Sequence, residues 1–267
     1  MYALAIDTRG VPVTSFYRDR IFRREGPFRW RHACHELLHE NWSTVVTAKV
    51  QNCVVTHFPM KPPLAGAQRN VDILRHEYEK GNASDHVRLF LAQDSMIVGD
   101  IETGIRLYKE LVDELETGDE NLHAGCLTVG QFLLYGARVT TPVLTDANSD
   151  VTVLRRAECW LRRAIGFRPV YAEPYVLLGD ICQLTDRRNS AITYYRKAMM
   201  QRFGTGPVQI RDYYKALPAL RLADMFTQSG DYEDALVMLR IVSSVRPSEK
   251  VQDLRKKLLI IMSSNVS

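Results

Sequence analysis

The chain has 267 residues, of which 46% are hydrophobic and 25% are charged, and its formal net charge is +4. This length and composition fit an ordinary globular chain of one large or two smaller domains. The 35 basic residues exceed the 31 acidic ones by too little to favour nucleic acid or an anionic membrane as a partner. We therefore predict no nucleic-acid partner.

The cysteine pattern indicates the redox setting. The five cysteines are widely spaced and form no Cys-x-x-Cys pair, which is typical of reduced thiols and predicts a cytoplasmic protein. The first residues lack the basic and apolar regions of a signal peptide. The longest apolar run, Leu258 to Met262, is too short to cross a bilayer, so no membrane span is predicted.

The N-terminal part of the chain has the composition of β-strands. It is rich in Val, Thr, Phe and Tyr, and Arg9-Gly10 forms a turn signal between the first two candidates. Prolines at positions 59, 62 and 63 end this zone, because proline interrupts both sheets and helices. The predicted strands are Tyr2–Ile6, Val13–Phe22 and Val45–His57.

From residue 65 onward the apolar residues follow a helical period. Val71, Leu74 and Tyr78 form one stripe, and Gly81-Asn82 ends it. The chain is therefore divided into an α/β segment over 1–63, a linker helix over 64–84 and a helical region over 85–267.

The helical region repeats a hairpin pattern. Small residues recur where two helices would approach most closely, and large residues recur where they would fill the groove between hairpins. Ala157 and Ala191 are 34 residues apart, which is the period of the tetratricopeptide repeat (TPR). The matching positions are Leu91, Ala92, Gly99-Asp100, Gly104 and Tyr108; Ala157, Leu161, Ala164 and Pro169; Tyr175, Leu178, Gly179, Cys182, Ala191, Tyr195 and Ala198; and Leu222, Ala223, Phe226, Gly230-Asp231, Ala235, Leu239 and Pro247.

Two further segments complete the predicted fold. Thr140–Asp150, rich in Thr, Asp, Asn and Pro, is expected to be a loop, and Lys250–Met262 a helix that caps the array. The predicted class is mainly α: an α-solenoid of about four TPR-like hairpins, with a small β-containing piece at the N-terminus. Such arrays bind peptides along the face built from the first helix of each pair. Polar residues at the inward-facing offsets of that face are Asp180, Gln183, Asp224 and Thr227.

One short motif suggests zinc chemistry. His35-Glu36-Leu37-Leu38-His39 matches His-Glu-x-x-His, which on a helix places two imidazoles on one face for zinc, with the carboxylate activating water. The extended form of the motif would have Gly and His where this chain has Trp42 and Val45, so a distant Glu77 is the remaining candidate for a third ligand. A zinc hydrolase therefore stays open as a hypothesis.

A different reading accounts for more residues. Five separated elements follow one another: Arg20-Ile-Phe-Arg23, Arg29-Trp30, His35-Glu36, Val55-Thr-His-Phe-Pro and Arg69-Asn70. In this order they resemble the C-terminal edge of the catalytic domain of family-2, inverting-type (GT-A) glycosyltransferases. The resemblance covers about residues 1–80 and implies that 1–63 is part of such a domain. It also implies a nucleotide-binding half, encoded upstream or carried by a separate chain.

The resemblance also implies roles for individual residues. His35 and Glu36 would form the catalytic pair beside the sugar nucleotide, and His35 would approach the metal of its diphosphate. Trp30 would pack under a sugar ring or, as a buried residue, hold its strand in place. A divalent metal (Mn²⁺ or Mg²⁺) and a nucleotide-sugar are the implied cofactors, if the catalytic half is supplied. The implied diphosphate contacts, besides Trp30, are Arg23, Arg24 and Arg31.

One absence opposes catalysis by this chain alone. Glycosyltransferases of this type hold the metal through an Asp-x-Asp motif, and the sequence contains none. Two functions are therefore carried forward. The first is a glycosyltransferase-related protein, completed by a separate catalytic chain or in a homodimer, whose repeats bind a protein acceptor. The second is a non-enzymatic TPR-type scaffold that binds a protein partner.

Overall fold

The computed structural model describes residues 2–6, 12–16, 29–39, 55–56, 63–114, 120–136, 144–204 and 209–264. Within these ranges, short strands lie before residue 57 and helices follow from Pro63. This order confirms the predicted class, a mainly α chain of helix hairpins preceded by a small β-containing piece.

The strands of the described residues form two small sheets. β1 (Tyr2–Ile6) pairs antiparallel with β2 (Pro12–Phe16) and parallel with β5 (Val55–Thr56). β3 (Arg29–Arg31) pairs antiparallel with β4 (Leu37–His39). β1 confirms the first predicted strand. The second prediction is confirmed up to residue 16, and its remainder, like most of the third, lies outside the described residues.

Helices make up the described chain after residue 62, apart from short turns. A helix, α1, covers most of the segment predicted as a linker helix over 64–84 but ends at Glu79. The predicted last helix is confirmed as α10. The helices are α1 (Pro63–Glu79), α2 (Asp85–Val98), α3 (Ile101–Glu114), α4 (Glu120–Tyr135), α5 (Val151–Phe167), α6 (Glu173–Leu184), α7 (Arg188–Met200), α8 (Ala216–Ser229), α9 (Tyr232–Val245) and α10 (Glu249–Ser264).

The predicted interruption before α5 is described from residue 144. A short 3₁₀ turn occupies Leu144–Asp146. Asp150 then caps α5, since its carboxylate accepts hydrogen bonds from the backbone N–H groups of Thr152 (2.7 Å) and Val153 (3.2 Å).

The chain divides into two compact units. Unit 1 comprises residues 1–126 and 205–208, and unit 2 comprises residues 127–204 and 209–267, so the boundary falls within α4. In unit 1, α2 packs against both α1 and α3, around Val71, Leu91 and Leu107. In unit 2, α5 to α10 each pack against the next helix. The boundaries predicted at residues 63 and 84 stay a prediction.

The two helices of a hairpin approach most closely where a glycine faces a large side chain. A methyl group on Gly179 of α6 would lie 2.4 Å from the ring of Tyr195 on α7. In the preceding hairpin, a methyl group on Gly130 of α4 would lie 2.6 Å from the side chain of Leu161 on α5. Both distances are far below van der Waals contact, so the close crossing depends on glycine.

The turns inside two hairpins share one geometry. Gly99 after α2 and Gly230 after α8 have φ values of 96° and 81°, in the left-handed region that side chains other than glycine rarely adopt. Each glycine is followed by an aspartate, Asp100 or Asp231, and then by the next helix. The Gly-Asp pairs in the sequence therefore mark the end of the first helix of a pair.

A buried carboxylate joins three hairpins within unit 2. Asp180 of α6 is fully buried and accepts hydrogen bonds from the hydroxyls of Tyr135 (2.6 Å) and Tyr195 (2.7 Å) and from Nε of Arg221 (2.9 Å). Burial and the charge of Asp180 raise the pKa of both tyrosines, so their hydroxyls remain donors. Burial lowers the pKa of Arg221, but the charge of Asp180 outweighs this effect and raises it. The helices joined are α4, α6, α7 and α8.

A second buried carboxylate fixes the segment before α8. Glu173, at the start of α6, is fully buried and accepts hydrogen bonds from the backbone N–H of Ile210 (2.5 Å) and the hydroxyl of Tyr214 (3.2 Å). Burial raises the pKa of Glu173 to about 7, although these hydrogen bonds act in the opposite direction. The carboxyl group is therefore poised to change its charge near neutral pH.

Candidate functional site

The site with the most specific geometry lies in unit 1, around His35. Nε2 of His35 lies 2.8 Å from Oδ2 of Asp94 on α2 and 3.3 Å from Nδ2 of Asn70 on α1. The side chain of Asp94 is almost inaccessible, whereas that of His35 is 26% exposed. Three segments that are distant in sequence thus meet at one imidazole.

The bend between β3 and β4 places this imidazole. His32 and His35 have φ values of 75° and 52°, in the left-handed region that is unusual for residues other than glycine. Cys34, between them, is buried at 3% exposure, so the bend inserts the thiol into unit 1. Such backbone conformations cluster at sites whose surroundings hold them in place.

Aromatic rings fix the histidines further. His35 stacks on Phe90 of α2, with ring centroids 4.0 Å apart, and His32 stacks on His86, with centroids 3.6 Å apart. His86 also contacts Phe90 at 4.7 Å with its ring tilted by 56°, so two stacked pairs join into one row of four rings over the start of α2. The imidazole of His35 is thereby held on one face by a ring and at Nε2 by a carboxylate.

The electrostatics of the site distinguish its groups. Burial lowers the pKa of His86, and the neighbouring His32 and His35 act in the same direction, so His86 favours the neutral form. Burial, followed by the charge of Asp94, raises the pKa of the Cys34 thiol to about 11. Cys34 is therefore a protonated core residue, not a nucleophile.

The contacts at Nε2 of His35 depend on which ring nitrogen carries the proton. The 2.8 Å contact with the Asp94 carboxylate is a hydrogen bond when Nε2 carries the proton, and Nδ2 of Asn70, itself a donor, then makes only a polar contact with Nε2. In the neutral ring, Nδ1 is then the acceptor, and it has no hydrogen-bond partner in the described part of the chain. A histidine oriented by a carboxylate in this way can bind a metal ion or accept a proton through its other nitrogen.

An open pocket of about 390 Å³ adjoins the stack at His32. Arg31 and Glu77 give its wall one charge of each sign, and Leu74 and Val87 contribute apolar surface. The remaining lining residues are Ala33 and Asn82.

The residues predicted for a sugar-nucleotide site are only partly described. Glu36 and Arg31 are exposed next to the bend, and Arg23 and Arg24 lie outside the described residues. The expectation that Trp30 is buried and holds its strand is wrong, because its side chain is 55% exposed. Among the described residues, this three-residue strand pairs on one side only and packs no core around the indole. The catalytic and donor-binding roles stay predictions.

The zinc hypothesis loses its geometric basis. His35 lies in a bend and Leu37–His39 form β4, so residues 35–39 do not form the helical turn that the motif requires. No cluster of three or more potential metal ligands occurs among the described residues, and Glu77 lines the pocket. His35 by itself supplies one ligand, so these residues do not hold a metal without ligands from elsewhere.

The four residues predicted for a peptide-binding face differ in accessibility. The expectation of an accessible carboxylate at Asp180 is wrong, because three donors from neighbouring helices enclose it. Gln183 is half-buried, and its Oε1 lies 3.1 Å from the Tyr195 hydroxyl, which donates its proton to Asp180. Thr227 donates its hydroxyl to the carbonyl of Ala223. Asp224 is exposed. The binding role stays a prediction for all four.

Sequence reasoning missed Asp94, His86 and Phe90. One signal could have identified Asp94: it is a carboxylate next to Leu91, Ala92 and Met96, on the buried side of α2. An acidic residue on the apolar side of a helix indicates a buried partner. Nothing in the sequence identifies that partner as His35, 59 residues away.

Comparison with known proteins gives a limited result. No protein-family model and no curated protein matches the chain. Among solved structures, the chain is similar to a thermophilic TPR protein of Thermus thermophilus, with 14% identity over 74% of this chain and 97% of that one and a TM-score of 0.44. It is also similar to MamA protein, with 16% identity over 67% of this chain and 88% of that one and a TM-score of 0.44.

At this low structural overlap, the repeat assignment rests on the hairpin contacts within each unit. No helix of the described residues is long and apolar enough to cross a membrane.

Proposed function

We propose that the protein is a TPR-type interaction module and that unit 2 binds a segment of a partner protein on the first-helix side of its repeats. One comparison of equivalent positions carries the proposal. Asp180 and Asp224 occupy the same place in successive repeats, directly after the small residues Gly179 and Ala223. The first carboxylate is paired within the chain and the second is exposed.

The partner of Asp180 indicates what Asp224 lacks. Asp180 pairs with Arg221, which belongs to the following repeat. Asp224 has only Gln228 as a polar partner among the described residues, with Nε2 donating to Oδ2 at 3.1 Å. Arg221 reaches Asp180 from the following repeat. A lysine or arginine of a bound segment would occupy the equivalent position beside Asp224. Repeat proteins use such extended faces to bind peptides.

A peptide library displayed on phage and selected against the full chain tests this proposal. Selected peptides should carry at least one Lys or Arg, and Asp224→Asn should weaken them about ten-fold or more, because it removes one charge-assisted hydrogen bond. Asp253→Asn, at an exposed carboxylate of α10, is the matched control and should leave the affinity unchanged. Selected peptides that bind both variants equally would oppose the proposal.

A glycosyltransferase-related role is the second candidate, and the cluster at His35 favours it. His35 and Asn70 belong to two separate elements of the family-2 resemblance, and they meet beside Asp94. Sugar nucleotide and divalent metal would bind only with further ligands, since the described residues contain no group of three or more potential metal ligands. In such a complex, His35 would contribute Nδ1, and Asp94 would hold the ring.

Calorimetric titration of the full chain with UDP- and GDP-sugars in the presence of Mn²⁺ tests the second candidate. Binding that is lost in His35→Ala and weakened in Asp94→Asn would support it. Glu36→Gln serves as a comparison that leaves the His35–Asp94 pair intact. Absence of binding to every donor would remove catalysis by this chain alone.

A further inference from the structure

The charge of the protein is unevenly distributed. Residues 151–202 contain ten Lys and Arg against four Asp and Glu, a net charge of +6, whereas the whole chain carries +4. The rest of the chain is therefore net negative, at −2. The small total charge hides a basic region formed by α5, α7 and the segments that flank them.

The acidic residues of this region leave its surface almost without negative charge. Glu173 and Asp180 are fully buried, as described above. Glu158 is 15% exposed and already holds Arg162 and Arg187, each at 2.7 Å. Asp186, in the turn between α6 and α7, is the one acidic residue of residues 151–202 that is exposed.

The basic residues lie on one side of each helix. In α5, Ala157, Leu161 and Ala164 are buried, and the arginines occupy the opposite, exposed side at a helical spacing. In α7, Ala191, Tyr195 and Ala198 are buried, with a similar exposed side. We call this surface the basic face; it comprises Arg155, Arg156, Arg162, Arg163, Arg196 and Lys197.

Specific contacts join the two helices into one surface. Glu158 of α5 pairs with Arg187, which precedes α7. The Tyr194 ring of α7 lies within 6.0 Å of the Arg162 guanidinium and 5.9 Å of the Lys197 ammonium group. Arg155, Arg156 and Arg196 make no ion pair within the described residues, so their charges are available to a partner.

We propose that the basic face binds an acidic segment of a partner protein, at a surface separate from Asp224. Glu158 is an example, within the chain, of how these arginines bind a carboxylate. It accepts hydrogen bonds from Arg162 of α5 and from Arg187, which precedes α7. Arg155 and Arg162 are seven residues apart, about 10 Å along the helix. Carboxylates three residues apart on an extended peptide have about the same spacing.

The composition of the face disfavours the other anionic partners. A membrane surface would require large apolar side chains among the cations. The exposed side of α5 carries Thr152, Cys159 and Gly166 beside its arginines, and the exposed apolar residues Val151 and Met200 lie at the ends of α5 and α7. A single nucleic-acid strand would require exposed aromatic rings for stacking. Tyr194 is flanked by two cations, and Trp160 is buried beneath Arg163, with its ring 5.5 Å from that guanidinium.

Fluorescence anisotropy with the full chain tests this inference. The probe is a labelled oligoglutamate of about twelve residues, compared with a DNA duplex of about 20 base pairs and with phosphatidylserine vesicles. Charge reversal at Arg155, Arg156 and Arg196 to Glu should reduce oligoglutamate affinity about ten-fold or more. The matched control reverses three exposed lysines of α10, Lys250, Lys256 and Lys257, to Glu and changes the net charge equally.

The expected result is oligoglutamate binding that weakens with added salt, is lost in the basic-face variant and persists in the α10 variant. Equal loss in both variants would overturn the inference, because only net charge would matter. Binding of DNA or vesicles in place of oligoglutamate would overturn it, as would no binding of any probe. Substitution of the same three arginines by Gln, with a circular dichroism spectrum for each variant, separates lost binding from lost folding. The proposed binding of library-selected peptides at Asp224 is measured in a separate experiment, so either proposal can fail without the other.

Discussion

Asp180 of α6 and Arg221 of α8 form a buried ion pair between successive repeats, with Nε 2.9 Å from Oδ1. The two tyrosine hydroxyls that donate to Asp180 come from α4 and α7, so donors from three other helices enclose the carboxylate. The first stability prediction follows from this enclosure.

Asp180→Ala should lower the free energy of unfolding by about 3–5 kcal/mol, since it removes the carboxylate that pairs with the buried Arg221 guanidinium. Urea unfolding followed by circular dichroism measures the loss. Asp224→Ala is the matched control one repeat later and should change stability by less than about 0.5 kcal/mol, because its carboxylate is exposed. Similar losses in the two variants would contradict the enclosed position of Asp180.

Gly179→Ala should destabilise the protein, because its new methyl group would meet the Tyr195 ring at 2.4 Å. Tyr195 cannot swing aside without losing its hydrogen bond to Asp180, so a loss of about 1–3 kcal/mol is expected. Gly166→Ala is the control on α5. With no atom within 4 Å of the added methyl group, it should stabilise by about 0.5–1 kcal/mol through helix propensity. Thermal unfolding of both variants decides whether the two changes have opposite signs.

Glu173 should make stability depend on pH in a defined window. Its pKa is raised from 4.5 to about 7, so the folded state holds the proton more tightly than the unfolded state. The resulting stabilisation is fully present at low pH and is lost as the pH rises through about 7. In Glu173→Gln, which keeps an acceptor for Ile210 and Tyr214, this dependence is removed.

The free energy of unfolding of Glu173→Gln relative to wild type should therefore rise by about 2–3 kcal/mol from about pH 5 to pH 8. Chemical unfolding at a series of pH values measures this difference. Glu233→Gln, at an exposed carboxylate of α9, is the control and should show a flat difference. A flat difference for Glu173→Gln as well would mean that Glu173 is not buried in the folded protein.

The thiols offer a test that needs no unfolding. Among the described cysteines, Cys159 is exposed, and Cys34, Cys126 and Cys182 are buried. Burial also raises the pKa of the thiols of Cys34 and Cys182, which lowers their thiolate fraction. Iodoacetamide at about pH 8 should modify Cys159 much faster than the other three. Peptide mass spectrometry in a Cys53→Ser background measures the order in which the cysteines are modified. Early modification of Cys182 would contradict the packing of α6.

Local features of the fold could be predicted from the sequence, and long-range pairing could not. Gly179 and Tyr195 lie at fixed offsets within one repeat, and Gly230-Asp231 reports a turn that involves only neighbouring residues. The pairing of Asp180 with Arg221 depends on how the next repeat packs. The same carboxylate position therefore looked equivalent at residues 180 and 224, although only one of the two is exposed.

The site around His35 shows the same limit. The sequence identified His35 and Asn70 through a family resemblance, but the carboxylate that orients the imidazole lies 59 residues away, on α2. Helical periodicity places Asp94 on the apolar side of α2 without indicating what it faces. The exposure of Trp30 could not be predicted either, since it depends on β3 having, among the described strands, a partner on one side only.

Hydrogen exchange of the full chain, with and without a library-selected peptide, tests the proposed interaction function most directly. We predict slower exchange in α6 and α8 when the peptide is bound, and loss of this protection in Asp224→Asn. Protection confined to helices other than α6 and α8, or protection that Asp224→Asn leaves unchanged, would contradict binding on the first-helix side of unit 2.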